Sequence, residues 1–551
     1  MVLPVLVWEK FFIPMSIDNS LSHEEKVIKF NVDFFNMAHI SNQEGKEQFE
    51  LVCHTVLGQL SKQIPGLEWI SKVLPKSHSH PHKGTANIKS SIHLEPTINL
   101  SEMDHHSMTV ILETLLMKRL HCLNERLDTK EMQEVYTAAL FTIRRVGATE
   151  PQLREAEEVI DRVVQRYGKL ILWGDQLTVK KALEAISSRK EDWNKFERME
   201  YFAILMLGDL HITMAMVCKS MKALMPTMTS ANPGTLGSFA SLLMRSHRIS
   251  NDEAKIKKSG NFEEHSNFLV TCGSTIVVEA LERYKCQLDQ EGKKLEETAA
   301  GAQQFFRQFL AAAKIQLWWD PRAQEYDYYD DAEEYAVSAS IRTILLMSYK
   351  HAIKFGDAMS IHVIHKILAI FFQFSSAVMN SQYGPSLLNE CIDYEGLSSM
   401  DKMRVDTMIT VNYTGEEGKN IAMDCMNEHK VGSCKCLMDR FTTSFDLNVV
   451  DRAMKANNQI LDLKDHMLDC LCREDLKSGG GSSVKYFRDE EKELVKKEVR
   501  DISPLLDPSG RNKVMYSFKV RGPWKNLTFE KVKKVIDHKS ELYDLERGTN
   551  M

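Results

Sequence analysis

Two short segments of this chain nearly repeat one another. Residues 169–178 read KLILWGDQLT, and residues 202–213 read FAILMLGDLHIT. Each is an apolar run of about strand length that stops at Gly-Asp, the pattern of a strand buried on both faces in a parallel sheet. Glycine at the strand end lets the backbone turn sharply or approach a neighbour closely. The strand then fixes the following carboxylate against a rigid core, where binding and catalytic groups often sit. Asp175 and Asp209 are the first candidates for function. The structural alternative carries equal weight: Asp after such a strand often caps the next helix. Asp175 could do so for a helix near 179, and Asp209 for one starting near His211.

The order after residue 149 is helix, strand, helix, strand, a long helical stretch and a late helix bearing Asp424 and Glu428 in AMDCMNEHK. These two acids are four apart and share a helix face. Strand-borne Asp residues plus a helix-borne acid suit a two-metal phosphoryl-transfer site, because Mg²⁺ and Mn²⁺ prefer carboxylate oxygens on rigid supports. The order matches a ribonuclease-H-like core of the transposase kind. On that mapping Asp33 is the first acid, Asp175 the second, and Glu428 or Asp424 the third. Asp209 closes the fifth strand as a supporting acid beside the site. The expected fold class is therefore α/β with predominant helix, a ribonuclease-H-like core interrupted by a large all-helical insertion. The second and third core strands have no clear place between residues 34 and 148.

The expected organisation is an N-terminal extension (1–27), an α/β core (28–224), a helical insertion (225–417), a carboxylate helix completing the core (418–476), and a linker with a charged tail (477–551). Within these bounds, 28–36 reads as a strand, 49–60 as a strand or short helix, and 149–167 as a capped helix. The Pro- and His-rich stretch 74–83 reads as a solvated loop in preference to a metal site at His78, His80 and His82. The run EYDYYDDAEEY at 325–335 reads as a solvated helix end or loop. Gly356 stops one helix and Asp357 caps the next. A further helix is expected over 418–438, and KSGGGSS at 477–483 as a flexible linker.

Composition narrows the function classes. The formal net charge of the 551 residues is −6, so no global basic footprint for nucleic acid exists and DNA contact would need a local basic patch. The 11 cysteines are scattered, with spacing unlike a disulfide scaffold, and the N-terminus lacks a basic region and cleavage site. The expected location is intracellular, nuclear or cytoplasmic. The longest apolar stretch, 361–379, contains His362, His365 and Lys366, and reads as a buried helix instead of a membrane span. Cys425, His429, Cys434, Cys436, Cys470 and Cys472 lack the usual zinc spacing, so buried free thiols are the favoured reading. His211 alone reads as a packed or capping residue.

GDQLT at 174–178, Glu197-Arg198, GDLH at 208–211 and GTLG at 234–237 occur in an order that resembles DUF6589, a eukaryotic domain-of-unknown-function family abundant in genomes rich in mobile elements. AIKFGD at 352–357, Gly415 and Gly418, and NIAMDCMNEH at 420–429 are similar to its C-terminal block. Where the family often carries Asp-Asn-x-Asp, this chain has Phe30-Asn31-Val32-Asp33; where its late helix continues Glu-His-x-Asn, this chain has Glu428-His429-Lys430-Val431. The resemblance implies no established activity. It does imply descent from a transposable element, in keeping with the carboxylate argument. Two functions are expected to compete. One is a transposase-like nuclease acting on DNA with Mg²⁺ or Mn²⁺ at Asp33, Asp175 and Glu428, supported by Asp209 or Asp424. The other is a non-catalytic, helix-rich interaction protein. A metal-dependent hydrolase of small phosphorylated molecules is a third, weaker reading.

Overall fold

The computed structural model describes residues 43–78, 170–180, 203–226, 231–257, 261–315, 328–374, 383–412, 417–425, 487–506 and 510–519. The described residues are predominantly helical with few strands. The expected strand at 28–36, the helix at 149–167 and the Gly-rich linker lie outside them, as do Asp33, Glu428, His80, His82 and the cysteines from Cys434 onward.

The two Gly-Asp phrases become strands β1 (Leu170–Gly174) and β2 (Ala203–Leu207), paired in parallel with Leu170 opposite Ala203 and Gly174 opposite Leu207. Alternation sorts their side chains between two surroundings. Ile171, Ile204 and Met206 pack with Val405 and the partly buried Trp173 and Tyr394. Leu205 and Leu207 join the main helical core. Burial of β2 on both faces explains why that run is apolar throughout.

The main core is a set of packed helices. After β2 the chain enters α-helix Asp209–Leu224 directly, then continues through helices Leu236–Leu242, Glu253–Ile256, Asn261–Gln290, Ala299–Ala312, Asp331–Phe355, Ala358–Phe374, Tyr383–Glu395 and Ser399–Met408. We number helices in chain order. Gln43–Leu60 is α1 and Ile70–Val73 is α2. Asp209–Leu224 is α3, and the helices just named continue to α11 at Ser399–Met408. The ambiguous stretch 49–60 is thus helix. Helix α8 (Asp331–Phe355) is the central strut, packed against α1, α3, α6 (Asn261–Gln290) and α9 (Ala358–Phe374). One face of α8 spans α3 end to end. The Tyr335 hydroxyl donates to the Leu224 carbonyl at 2.9 Å, and the Tyr349 hydroxyl to Asp209 at the opposite end at 2.6 Å.

Gly356 closes α8 in the left-handed conformation, and Asp357 caps α9 by accepting from Ser360, as the sequence suggests. A small hairpin of β3 (Thr410–Val411) and β4 (Ile421–Ala422) sits beneath this junction. Asn420 donates its backbone N–H to the Lys354 carbonyl, and Gly418 lies against Phe355. The expected helix over 418–438 therefore begins later. Residues 418–422 form the turn and β4, and helix starts at Met423. No helix among the described residues is long and apolar enough to cross a membrane; residues 361–374 of the apolar stretch enter the core in α9.

The acidic run at 325–335 differs from its reading as a solvated segment. It supplies the N-terminus of α8, but Asp330, Asp331 and Glu333 are buried. The cause is distant in sequence. Arg511 pairs with Asp330, Lys519 with Asp331, and the Val514 and Tyr516 N–H groups donate to the same two acids. Burial pushes the Asp330 carboxyl upward, but Arg511 and the donated backbone N–H bonds outweigh it and hold that carboxyl below the usual range. Helix α12 (Asp489–Ile502) lies along α6 and buries Val495, Val499 and Ile502. Its Glu498 accepts from the Gly234 N–H and the Ser238 hydroxyl, so GTLG is the seat for this helix.

His78 is tied into the structure: its N–H donates to Asp357 at 2.6 Å and its ring meets the Thr55 hydroxyl at 3.2 Å. Nearby His54 is 1% exposed, lies against Phe306, and has no hydrogen-bond partner at either nitrogen. Burial, then the charges of Arg307 and His78, push its imidazole down to about 3. The unfolded chain takes up this proton near the ordinary histidine value and the folded chain does not, so the contribution to stability is full above that value and shrinks as pH falls. Acidification from neutral by two pH units should cost about 2 kcal/mol at this residue. Urea unfolding at the two pH values should show that His54→Phe removes this share of the acid sensitivity. His78 and His351, also pushed down chiefly by burial, act in the same direction.

Candidate functional site

The parallel ladder continues one step past the strands: the Gly208 N–H donates to the Gly174 carbonyl at 2.8 Å. Asp175 and Asp209 therefore leave neighbouring strands at the same edge of the sheet. Their carboxylates are then used differently.

Asp175 Oδ1 accepts the Thr178 N–H at 2.7 Å, so this acid caps the helix that opens at Gln176. Its side chain remains partly exposed. Asp209 does not cap its helix. It is 2% exposed, and its Oδ1 accepts from the Tyr349 hydroxyl while lying 2.9 Å from His365 Nε2. The other imidazole nitrogen of His365, Nδ1, is 2.8 Å from Glu390 Oε1, and Glu390 Oε2 accepts the Leu207 N–H at 2.5 Å. Helices α8, α9 and α10 (Tyr383–Glu395) thus each send one polar side chain to the end of β2. An imidazole with a carboxylate at each nitrogen is best satisfied as a double donor. Burial alone would lower its basicity, but the hydrogen bonds and charges of Asp209 and Glu390 prevail and push His365 up to about 10.

The cap of α3 comes from Asp424, in the first helical turn after β4. Asp424 Oδ1 accepts the Leu210 and Cys425 N–H groups at 3.0 and 3.1 Å. Its Oδ2 accepts the His211 N–H at 3.1 Å and lies 2.8 Å from His211 Nδ1. Gly208, at φ −79°, has no need of a left-handed backbone. Its requirement is spatial: a Cβ there would overlap the Asp424 carboxylate and stand 2.7 Å from the Asp424 Cβ. Each residue of GDLH apart from Leu210 thus has a distinct task. Gly208 admits Asp424, Asp209 enters the core network, and His211 pairs with the incoming acid.

Asp175 and Asp424 both act on Tyr383. The Tyr383 phenol, at the start of α10, is pushed upward first by burial and then by the negative charges of Asp175 and Asp424. Of the five acids singled out from sequence, Asp175, Asp209 and Asp424 meet around the ends of β1 and β2. Asp33 and Glu428 lie outside the described residues. Among the described residues no group of three or more His, Cys, Asp or Glu side chains is arranged to hold a metal. The described acids are already engaged: Asp175 Oδ1 by the Thr178 N–H, Asp209 Oδ1 by Tyr349 and His365, and both Asp424 oxygens by backbone N–H groups.

Sequence reasoning missed Tyr349, His365 and Glu390, and set His211 aside. His365 left a trace, as an ionisable residue inside an apolar helix. Glu390 and Tyr349 left none, because their meeting with Asp209 is purely tertiary.

These features define a helix-rich protein with a small parallel strand pair whose Gly-Asp ends gather an acid-histidine cluster. The chain belongs to a family of unknown function, DUF6589, whose model matches residues 52–478. No curated protein and no solved structure matches it.

Proposed function

We propose that this protein is a transposase-like, transposon-derived enzyme of DNA phosphoryl transfer, with its site at the ends of β1 and β2. The observation that carries this reading is the parallel pairing of the two Gly-Asp strands, extended by the Gly208–Gly174 hydrogen bond. It brings Asp175 to the sheet edge that also holds Asp209 and receives Asp424. In the ribonuclease-H-like assignment β1 and β2 are the fourth and fifth core strands, and residues 225–417 form the insertion. Asp175 would hold a Mg²⁺ or Mn²⁺ ion together with Asp33 and Glu428. Such a cation would stabilise charge on the phosphoryl oxygens. Asp209, fixed through one oxygen by Tyr349 and His365, would set the negative field beside it.

A specific observation favours the non-catalytic reading, in which the fold persists as an interaction scaffold. Asp175 accepts a helix N-terminal N–H, and Asp424 accepts two, as capping residues do. Cleavage of end-labelled DNA in Mn²⁺ separates the two. The enzymatic reading expects wild-type cleavage that falls by at least about 10²-fold in Asp175→Asn, the scale of losing one preorganised electrostatic group. Equal cleavage by both proteins, or none by either, favours the scaffold.

A further inference from the structure

We propose that Arg342 forms a buried binding site for a small oxyanion, a carboxylate or a phosphate, in the seam where α8 packs on α3 and α9. The inference is independent of the phosphoryl-transfer reading. Tyr335, Arg342 and Tyr349 recur every seven residues, so they lie along one face of α8. The two tyrosines fix that face on α3, through the Leu224 carbonyl and Asp209. Both ends of the seam are therefore satisfied, and its middle is not. Arg342 is 3% exposed. Its one hydrogen bond among the described residues is long, from Nε to the Ser338 hydroxyl at 3.4 Å. Nη1 is buried with no partner. The guanidinium lies over the Phe371 ring of α9, 4.9 Å from the centroid.

A guanidinium does not escape burial by giving up its proton. Burial pushes Arg342 down to about 10, which leaves it charged at neutral pH. Buried charges are paired or bind ions, because an isolated one is far costlier than a neutral polar group. The Phe371 face offers a quadrupole and Ser338 a hydroxyl, and neither is a counter-charge. Water could satisfy Nη1 but could not neutralise it. No acid pairs with Arg342 among the described residues. The residues that follow α9, SSAVMNSQ at 375–382, contain none.

An oxyanion supplies what is missing. The Nη1 and Nη2 hydrogens form a planar fork that matches two oxygens of a carboxylate or phosphate. The Ser338 hydroxyl accepts from Nε and keeps its own proton to donate to the same anion. A second hydroxyl, Ser220 Oγ, is buried on α3 without a partner. It follows Asp209 by about three helical turns, on the side of α3 that Tyr349 meets. Burial of Arg342 and Phe371 limits the anion to a few heavy atoms.

The test is urea unfolding of the full chain in inorganic phosphate, in acetate and in chloride, at one pH and one ionic strength. A ligand that binds only the folded state raises the folding equilibrium about tenfold for each tenfold rise in concentration above its dissociation constant. Wild-type protein should show this rise in phosphate or acetate, and not in chloride. Arg342→Met keeps the apolar stem and removes the charge. It should be at least as stable as wild type in chloride and should not respond to either oxyanion. A variant that is weaker than wild type in every salt, with the wild-type response to oxyanions, overturns the inference and makes Arg342 a packing residue on Phe371. Equal effects of all three anions on wild type also overturn it. So does a wild-type midpoint that ignores phosphate and acetate, a result that needs no variant to fold. None of these outcomes depends on DNA cleavage, so this inference and the phosphoryl-transfer reading fail separately.

Discussion

Gly208→Ala should be among the most damaging single-methyl additions in this chain. The new Cβ would occupy the space of the Asp424 carboxylate, and backbone on both sides is held: Gly208 by its bond to Gly174, Asp424 by its bonds to α3. Relief requires expelling Asp424, which uncaps α3, removes its contact with His211 and leaves the Leu210 N–H without the acceptor it has here. Overpacking alone costs about 1–3 kcal/mol. Loss of the cap adds about 1 kcal/mol, so a total of about 2–4 kcal/mol is expected from urea unfolding. The double variant Gly208→Ala, Asp424→Gly should recover part of the loss, since the Cβ and carboxylate that the new methyl meets are both removed while the missing cap remains. If Gly208→Ala unfolds at the wild-type urea midpoint, the close approach of Asp424 is not a feature of the folded protein.

Replacing His365 with leucine should be as severe by a different route. Leucine fills much of the volume but leaves Asp209 and Glu390 buried and facing one another without the shared cation. Removing one partner of a buried ionic pair typically costs about 3–5 kcal/mol, and Glu390→Gln should cost less because the Leu207 N–H keeps an acceptor. The pH dependence gives a second check. His365 is raised from the ordinary imidazole value to about 10 in the folded chain. Its stabilisation is therefore complete below the unfolded histidine value and decays as pH rises toward 10. Wild-type protein should lose stability steadily over that alkaline range. His365→Leu should be weaker at neutral pH and nearly flat across the same range. A parallel decline in both proteins would show that the imidazolium is not the source.

The two Gly-Asp strands were legible because the signal is local: an apolar run of four or more residues and a glycine stop suffice to mark each strand. Their parallel partnership is consistent with that apolar character. The helix cap at Asp357 and the stop at Gly356 were legible for the same reason. Asp424 was marked as an acid worth attention, but by its spacing from Glu428. The structure uses it for something no spacing reveals, the cap of a helix whose His211 lies 213 residues away. The acidic run at 325–335 misled for a related reason. Local composition says solvent, and Arg511 and Lys519, arriving from far along the chain, with Lys314 at Glu333, make burial of those carboxylates affordable. Tyr349, His365 and Glu390 share this property: each is ordinary within its own helix, and chemistry arises only where three helices meet one strand end.

The seat of α12 on GTLG has a consequence for where this protein stops being itself. The match to the family ends at residue 478, yet Glu498 satisfies the Gly234 N–H and Arg511 neutralises Asp330 beyond that boundary. Contacts that close the shared region thus come from residues beyond the family match. Helix α12 and residues 510–519 act as a clasp, closing from outside the shared region a surface that the shared region alone would present to water.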